Sequence, residues 1–151
     1  NNVVEKTLEI IDKYNIDKSL IEIEITESIG NIEQKIIAEL ANKFIDNGIT
    51  LAIDDFGSEF SSLSTLANVT FDEVKIDKSV INNLTVNTRS QVIVESVIQT
   101  CKKLNMVCVA EGIETESQKD EIKRLGCDLG QGYFFSKPIP VADFEEKYLK
   151  K

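Results

Sequence analysis

Leu51-Ala-Ile-Asp-Asp-Phe-Gly-Ser-Glu-Phe-Ser-Ser-Leu63 joins an apolar run to two adjacent aspartates, with glycine two positions further on. Thr50 to Asp54 reads as a strand, and a strand sends neighbouring side chains to opposite faces. Side-by-side acids at its end are explained by a capped turn, or by a ligand that both reach. The turn through Phe56-Gly57 would let the two carboxylates approach one group of divalent ions from different sides.

The surrounding chain alternates strand and helix signals. Upstream, Ile21, Ile23 and Ile25 alternate with Glu22, Glu24 and Thr26, a strand pattern. Ile32, Ile36, Ile37, Leu40, Phe44 and Ile45 form a helical stripe stopped by Asn47-Gly48. Val4, Leu8 and Ile11 mark an earlier helix. Downstream come a short helix over 62–67, a strand from Glu73 to Asp77, and a long helix through Ile93, Val94, Val97, Ile98, Cys101 and Leu104. Met106 to Ala110 is a fourth strand. Thr115 and Gln118 have capping-box spacing for a helix that runs through Ile122 and Leu125 to Gly126. Cys127 to Gly130 reads as a short fifth strand, and Pro140 opens a last helix carrying Phe144 and Tyr148. Strands separated by helices imply α/β architecture with parallel βα units. A doubly wound sheet and a barrel both satisfy that pattern. An eight-fold barrel takes about 250 residues, so five strands would be part of one.

Composition excludes several function classes. The 151 residues suffice for one domain with a core, and a 42% hydrophobic content argues against disorder. No linker or repeat divides the chain, and no apolar run is long enough for membrane insertion. The net charge is -9 without a basic block, which argues against a polymeric nucleic acid partner. Cys101, Cys108 and Cys127 are odd in number and widely spaced, as expected of a reduced, cytoplasmic chain. The absence of histidine rules out His-based catalysis and His-ligated metals within this chain. A metal held here would rest on oxygen donors, which suits Mg²⁺, Mn²⁺ or Ca²⁺. The chain begins Asn-Asn, and the expectation is a segment excised from something longer.

Chemistry-bearing residues collect at the expected strand ends. Glu24 and Glu27 follow the first, Asp54 and Asp55 the second, and Lys75 and Asp77 the third. Glu111 and Glu114 follow the fourth, and Gln131 the fifth. In parallel α/β folds these ends share one rim, where sites are built. Each residue also has a plain reading: a wet edge for Glu24, a turn cap for the aspartates, a solvated Lys75, a helix first turn for Glu111 and Glu114, a loop amide for Gln131. Val74 and Ile76 alternate with Lys75 and Asp77, so Lys75 faces away from the helix-packed side, where a lysine needs partners.

Five stretches together resemble the successive motifs of EAL domains. They are Glu24-Ile-Thr-Glu27-Ser, Asp54-Asp-Phe-Gly57 with Ser61-Ser-Leu63, Val74-Lys-Ile-Asp77, Val109-Ala-Glu-Gly-Ile-Glu114 and Gln131-Gly-Tyr-Phe-Phe-Ser-Lys-Pro138. The resemblance implies a (β/α)₈ TIM-type barrel and a bacterial signalling enzyme that hydrolyses cyclic di-GMP to pGpG with Mg²⁺ or Mn²⁺. It implies Glu24, Asp54, Asp55 and Glu111 as metal ligands, with Lys75 and Glu111 as catalytic residues at the attacking water. It implies Glu27 holding the Asp-Asp-Phe-Gly loop, which in the family links site and dimer, and Gln131 and Glu114 in support. The name-giving Glu-Ala-Leu motif and an early asparagine motif are absent; by the resemblance both would lie before Asn1. Residues 1–151 are therefore expected to be a partial EAL domain, the C-terminal part of the barrel with its first strands missing. Ser58-Glu-Phe60 also departs from the family's frequent Thr-Gly-Tyr, placing the charge of Glu59 beside the site.

Two functions compete on these residues. One is a phosphodiesterase portion that is inactive or weak alone; the other is a non-catalytic module binding cyclic di-GMP or a protein. An open partial barrel is also expected to self-associate or be completed by another chain, because it exposes strand edges and apolar surface.

Overall fold

The computed structural model of the chain describes residues 2–26, 34–58 and 63–150. Helix α1 (Asn2–Lys13) and a 3-10 turn (Lys18–Leu20) lead into β1 (Glu22–Thr26). Then follow α2 (Gln34–Asp46), β2 (Thr50–Phe56), α3 (Leu63–Asn68), β3 (Glu73–Ile76) and α4 (Lys78–Ile81). The chain continues through α5 (Thr88–Leu104), β4 (Val107–Ala110), α6 (Glu116–Leu125) and β5 (Leu129–Gly130). It closes with α7 (Val141–Phe144) and a π-helical turn, Glu145–Leu149.

The strands lie in the order β1-β2-β3-β4-β5, and every neighbouring pair is parallel. Chain order is thus spatial order. A doubly wound sheet reverses its order at a switch point, whereas a sheet that always adds the next strand on the same side is the arc of a barrel. This settles the choice that alternation left open.

Helices cover one face of the arc. Ala41 and Phe44 from α2, Val94, Ile98 and Cys101 from α5, and Ile122 and Leu125 from α6 are buried with Leu51, Ile53, Val74, Ile76 and Cys108. The other face carries acids. Glu22 and Glu73 are held above the ordinary carboxylate value by burial first, and then by Glu24 beside Glu22 and by Glu22 beside Glu73. Lys75 opposes both rises.

Two aspartates fasten the strands where they begin. Asp72, just before β3, accepts the Leu51 N–H at 2.9 Å through Oδ2. Its own N–H donates to the Leu51 carbonyl at 2.8 Å, and its carbonyl accepts from Val107 N at 2.8 Å. One residue therefore ties β3 to β2 and β4. Asp128 repeats the side-chain contact one crossover later, accepting the Cys108 N–H at 2.9 Å.

Several expected boundaries shift. β2 runs on to Phe56 rather than ending at Asp54. Asp77 does not extend β3; it caps α4, an element the apolar pattern had not indicated, by accepting Ser79 N at 2.8 Å. Thr115 and Gln118 do form the capping box of α6. Glu27, Glu59, Ser61, Ser62 and Ile32 lie outside the described residues.

Replacing Asp72 by alanine strands the buried Leu51 N–H and should cost about 1–3 kcal/mol, read by urea unfolding. An unchanged midpoint would show that the contact is dispensable. Glu73→Gln tests the acidic face. A carboxyl with a raised folded pKa adds stability that is complete below its unfolded value and is lost as pH rises through the folded value. Glu73→Gln should therefore gain stability relative to the parent as pH rises from about 4 to neutral. A pH-independent difference would contradict it.

Candidate functional site

The tandem aspartates sit on a β-bulge. β2 pairs with β3 at Ile53–Val74 and again at Phe56–Ile76, so β2 carries one extra residue between those pairs. Asp55 takes up the irregularity with a left-handed backbone, φ 56°, a conformation Asp tolerates better than most side chains. The strict alternation that would have separated the two carboxylates is broken at that point. Bulges re-aim side chains next to active sites in this way.

Lys75 lies opposite the bulge, between the two paired positions on β3. Its side chain is 10% exposed, and its ammonium lies 2.6 Å from Glu24 Oε1, 3.0 Å from Glu111 Oε1 and 3.3 Å from Asp54 Oδ1. β1, β2 and β4 thus each send a carboxylate to one lysine on β3. Burial pulls the Lys75 pKa down, but the hydrogen bonds to Glu24 and Glu111 and the charges of Glu111 and Asp54 hold it above the ordinary lysine value.

The acids outnumber the base. One ligand oxygen each from Asp54, Asp55 and Glu111 falls within a mutual 4.8 Å. Burial raises the Glu111 carboxyl above its usual range, with Asp54 and Asp55 adding to the rise against the pull of Lys75. Burial also raises Asp55, followed by the charges of Asp54 and Asp77. Asp54 Oδ1 is buried and accepts no hydrogen bond among the described residues; Lys75 is near enough for an ionic contact but is not aligned with it. A buried carboxylate oxygen without a donor is costly, and hard oxygen donors at this spacing suit a divalent cation. Asp54, Asp55 and Glu111 could hold one. Glu24 is spent on Lys75 and lies outside that trio.

The other expected residues divide. Gln131 Nε2 donates to Glu111 Oε1 at 2.5 Å, which places the amide against the cluster. Glu114 stands apart and pairs with Lys78, a residue that strand-end counting passed over. The Lys78 stem crosses Gly112, where an added Cβ would come within 2.5 Å of Lys78 Cγ. Gln118 also does more than cap α6. Its Oε1 accepts from both Glu114 N and Thr115 N at 2.9 Å, holding the loop after β4. At Gly132 a side chain would strike the backbone of Ile113 at 2.2 Å, so the segment after β5 can press against that loop. An open cavity of about 880 Å³ begins at Glu111 and Gln131 and extends past Tyr133 and Phe135 to Tyr148. It meets the carboxylate cluster only at Glu111.

A run of parallel βα units that gathers acids and one lysine at the strand ends defines a barrel-type α/β protein with an acidic cluster that could hold a divalent cation. The chain belongs to the EAL domain family, which matches residues 1–138. It is 34% identical over 147 residues to the cyclic di-GMP phosphodiesterase NbdA of Pseudomonas aeruginosa, covering 96% of this chain and 18% of that protein. It matches the EAL domain of Mycobacterium smegmatis DcpA with a TM-score of 0.89 and 32% identity, over 95% of this chain and 64% of that one. The PaMucR phosphodiesterase, solved in complex with c-di-GMP, matches with a TM-score of 0.87 and 30% identity, over 94% and 57%. The chain therefore spans less than two thirds of the solved EAL chains and under a fifth of NbdA. Its five parallel strands are part of the EAL barrel. Among the described residues no helix is long and apolar enough to cross a membrane.

Mn²⁺ or Mg²⁺ at ten times its dissociation constant should raise the unfolding free energy by about 1.4 kcal/mol near neutral pH. Asp54→Asn should lose that rise, and Asp120→Asn, on the exposed face of α6, should keep it. Equal responses in the two variants would place the cation elsewhere.

Proposed function

We propose that the chain is the C-terminal portion of a cytoplasmic, metal-dependent phosphodiesterase that hydrolyses one phosphodiester of cyclic di-GMP and releases linear pGpG. The observation that carries this reading is the convergence of Glu24, Asp54 and Glu111 on Lys75, with Asp55 adding a further unbalanced acid. Such a site repels a dianionic dinucleotide until cations enter it. Bound Mg²⁺ or Mn²⁺ would offset the phosphate charge and make water a better nucleophile.

In this reading Asp54, Asp55 and Glu111 would hold the cations, and Glu24 would be a further ligand. Lys75 has only protons to offer, so it acts as a donor that orients the attacking water and meets negative charge on the phosphoryl oxygens. The water oxygen bonds to phosphorus and gives up one proton to a carboxylate of the cluster, the P–O bond to one ester oxygen breaks, and that oxygen takes up a proton, so one water is consumed in all. Gln131 fixes the Glu111 carboxylate by its 2.5 Å hydrogen bond. Glu114, paired with Lys78, holds the loop after β4. By the family resemblance Glu27, which lies outside the described residues, would hold the Asp54-Asp-Phe-Gly57 loop. In the 151-residue chain taken alone, the edges at β1 and β5 would be covered by a second copy or by another chain.

A specific observation favours a second reading, binding of the dinucleotide without turnover. Glu24 is occupied by Lys75 and lies outside the ligand trio.

The 151-residue chain should show no more than weak hydrolysis. A longer protein carrying the preceding barrel strands should convert cyclic di-GMP to pGpG with Mn²⁺ or Mg²⁺, followed by product chromatography. Lys75→Met in that protein should lower kcat at least about 100-fold, the scale of losing a group that stabilises developing charge. Calorimetric binding by the longer protein without any pGpG would select the second reading. Rapid turnover by the 151 residues alone would overturn the incomplete-site argument.

A further inference from the structure

Three cysteines that are far apart in the chain meet away from the carboxylate site. Cys101 lies near the end of α5, Cys108 on β4, and Cys127 just before β5. Cys101 and Cys108 are fully buried, whereas Cys127 is partly accessible. Cys101 and Cys108 belong to one buried cluster, and Cys127 packs against it. The Cys127 thiol also lies 3.1 Å from the Cys108 carbonyl and 3.3 Å from the Leu129 carbonyl.

The backbone keeps this arrangement in place. β4 and β5 pair at Val109–Leu129 and Ala110–Gly130, so Cys108 and Cys127 approach one another diagonally, just before the ladder begins. Asp128, next to Cys127, accepts the Cys108 N–H at 2.9 Å and pins the two segments together. The scattered spacing in the sequence thus becomes a packed group with a single entrance.

We propose that Cys127 and Cys108 form an oxidation-sensitive pair, in which Cys127 reacts with a small hydroperoxide and Cys108 resolves the product as an intramolecular disulfide. The Cys127 sulfur attacks one peroxide oxygen, and the O–O bond breaks. Cys127 becomes a sulfenic acid, and the other oxygen leaves as water, or as the alcohol of an organic peroxide. The Cys108 sulfur then attacks the Cys127 sulfur. The S–O bond breaks, and the hydroxyl departs as water with the Cys108 proton. Two thiols are oxidised by two electrons in all, and one peroxide is reduced. Cys101 is next to Cys108 rather than at the entrance, so it stays a thiol in this step. The new bond would fasten β4 to the entrance of β5, a few residues upstream of the Glu111–Gln131 contact.

The test uses the reduced 151-residue chain under native conditions. Brief iodoacetamide treatment should label Cys127 ahead of the other two cysteines. Hydrogen peroxide followed by thiol blocking and peptide mass mapping should give a Cys108–Cys127 linkage, about tenfold over any other pairing, as expected when one thiol is accessible and its partner is preset. Cys101→Ser should keep that linkage, and Cys127→Ser should abolish it. Cys108→Ser should leave a dimedone-trappable sulfenic acid on Cys127; circular dichroism checks that it folds, and the other two variants decide if it does not. Oxidation that stops at sulfinic acid on Cys127, links chains to one another, or spreads evenly over the three cysteines would overturn the proposal. Peptide masses are independent of catalysis, so this result and the phosphodiesterase assay can fail separately.

Discussion

Lys75 sets the electrostatic balance of four strands. Its ammonium, on β3, is the cation that allows acids from β1, β2 and β4 to approach one another. Desolvating a lysine is unfavourable, and desolvating carboxylates without a partner is equally so. Each makes the other tolerable here, but the numbers are unequal. Burial first raises the Asp55 and Glu111 pKa values, and the surplus of acids adds to the rise. A cluster of this kind is stable enough to form yet has unmet capacity for positive charge. Removing the lysine would turn a paired site into a repulsive one, the severe case among buried ion pairs.

The bulge in β2 explains why two adjacent aspartates can serve one site. Regular pleating would have sent one of them into the helix-packed face, where Ile53 and Phe56 are buried. One extra residue and the left-handed Asp55 bring the second carboxylate into ligand range of the first and of Glu111. The tandem acids themselves mark the place in the sequence. The device does not show there, because Asp-Asp is compatible with an ordinary turn and the register depends on where β3 pairs.

The fold was legible wherever its cause is local. Period-two alternation in Glu22–Thr26, the packed face of α2 at Ile37, Leu40, Phe44 and Ile45, and the Thr115–Gln118 capping box appear where their spacing predicts, whereas Ile36 is exposed. The strand order was not legible from alternation, because barrels and doubly wound sheets share it. The site was legible in part: motif resemblance picked out Lys75, Asp54, Asp55 and Glu111, and the distances bring them together. Contacts between distant residues stayed hidden. Asp72 and Asp128 look like surface acids until the strands they fasten are adjacent. Lys78 finds Glu114 only once α4 and the loop after β4 share a rim. The cysteines look unrelated because their contact depends on α5 lying across β4 and β5.

An arc whose strands all point one way fixes the spacing of whatever its rim carries. Glu24, Asp54, Lys75 and Glu111 sit on, or directly after, four successive strands, and neighbouring strands lie about 4.8 Å apart. How closely three carboxylates approach one ammonium therefore depends on how strongly the arc is curved. The helix-packed face bears on that curvature, so packing on the far side of the sheet helps to tune the ligand spacing at the rim.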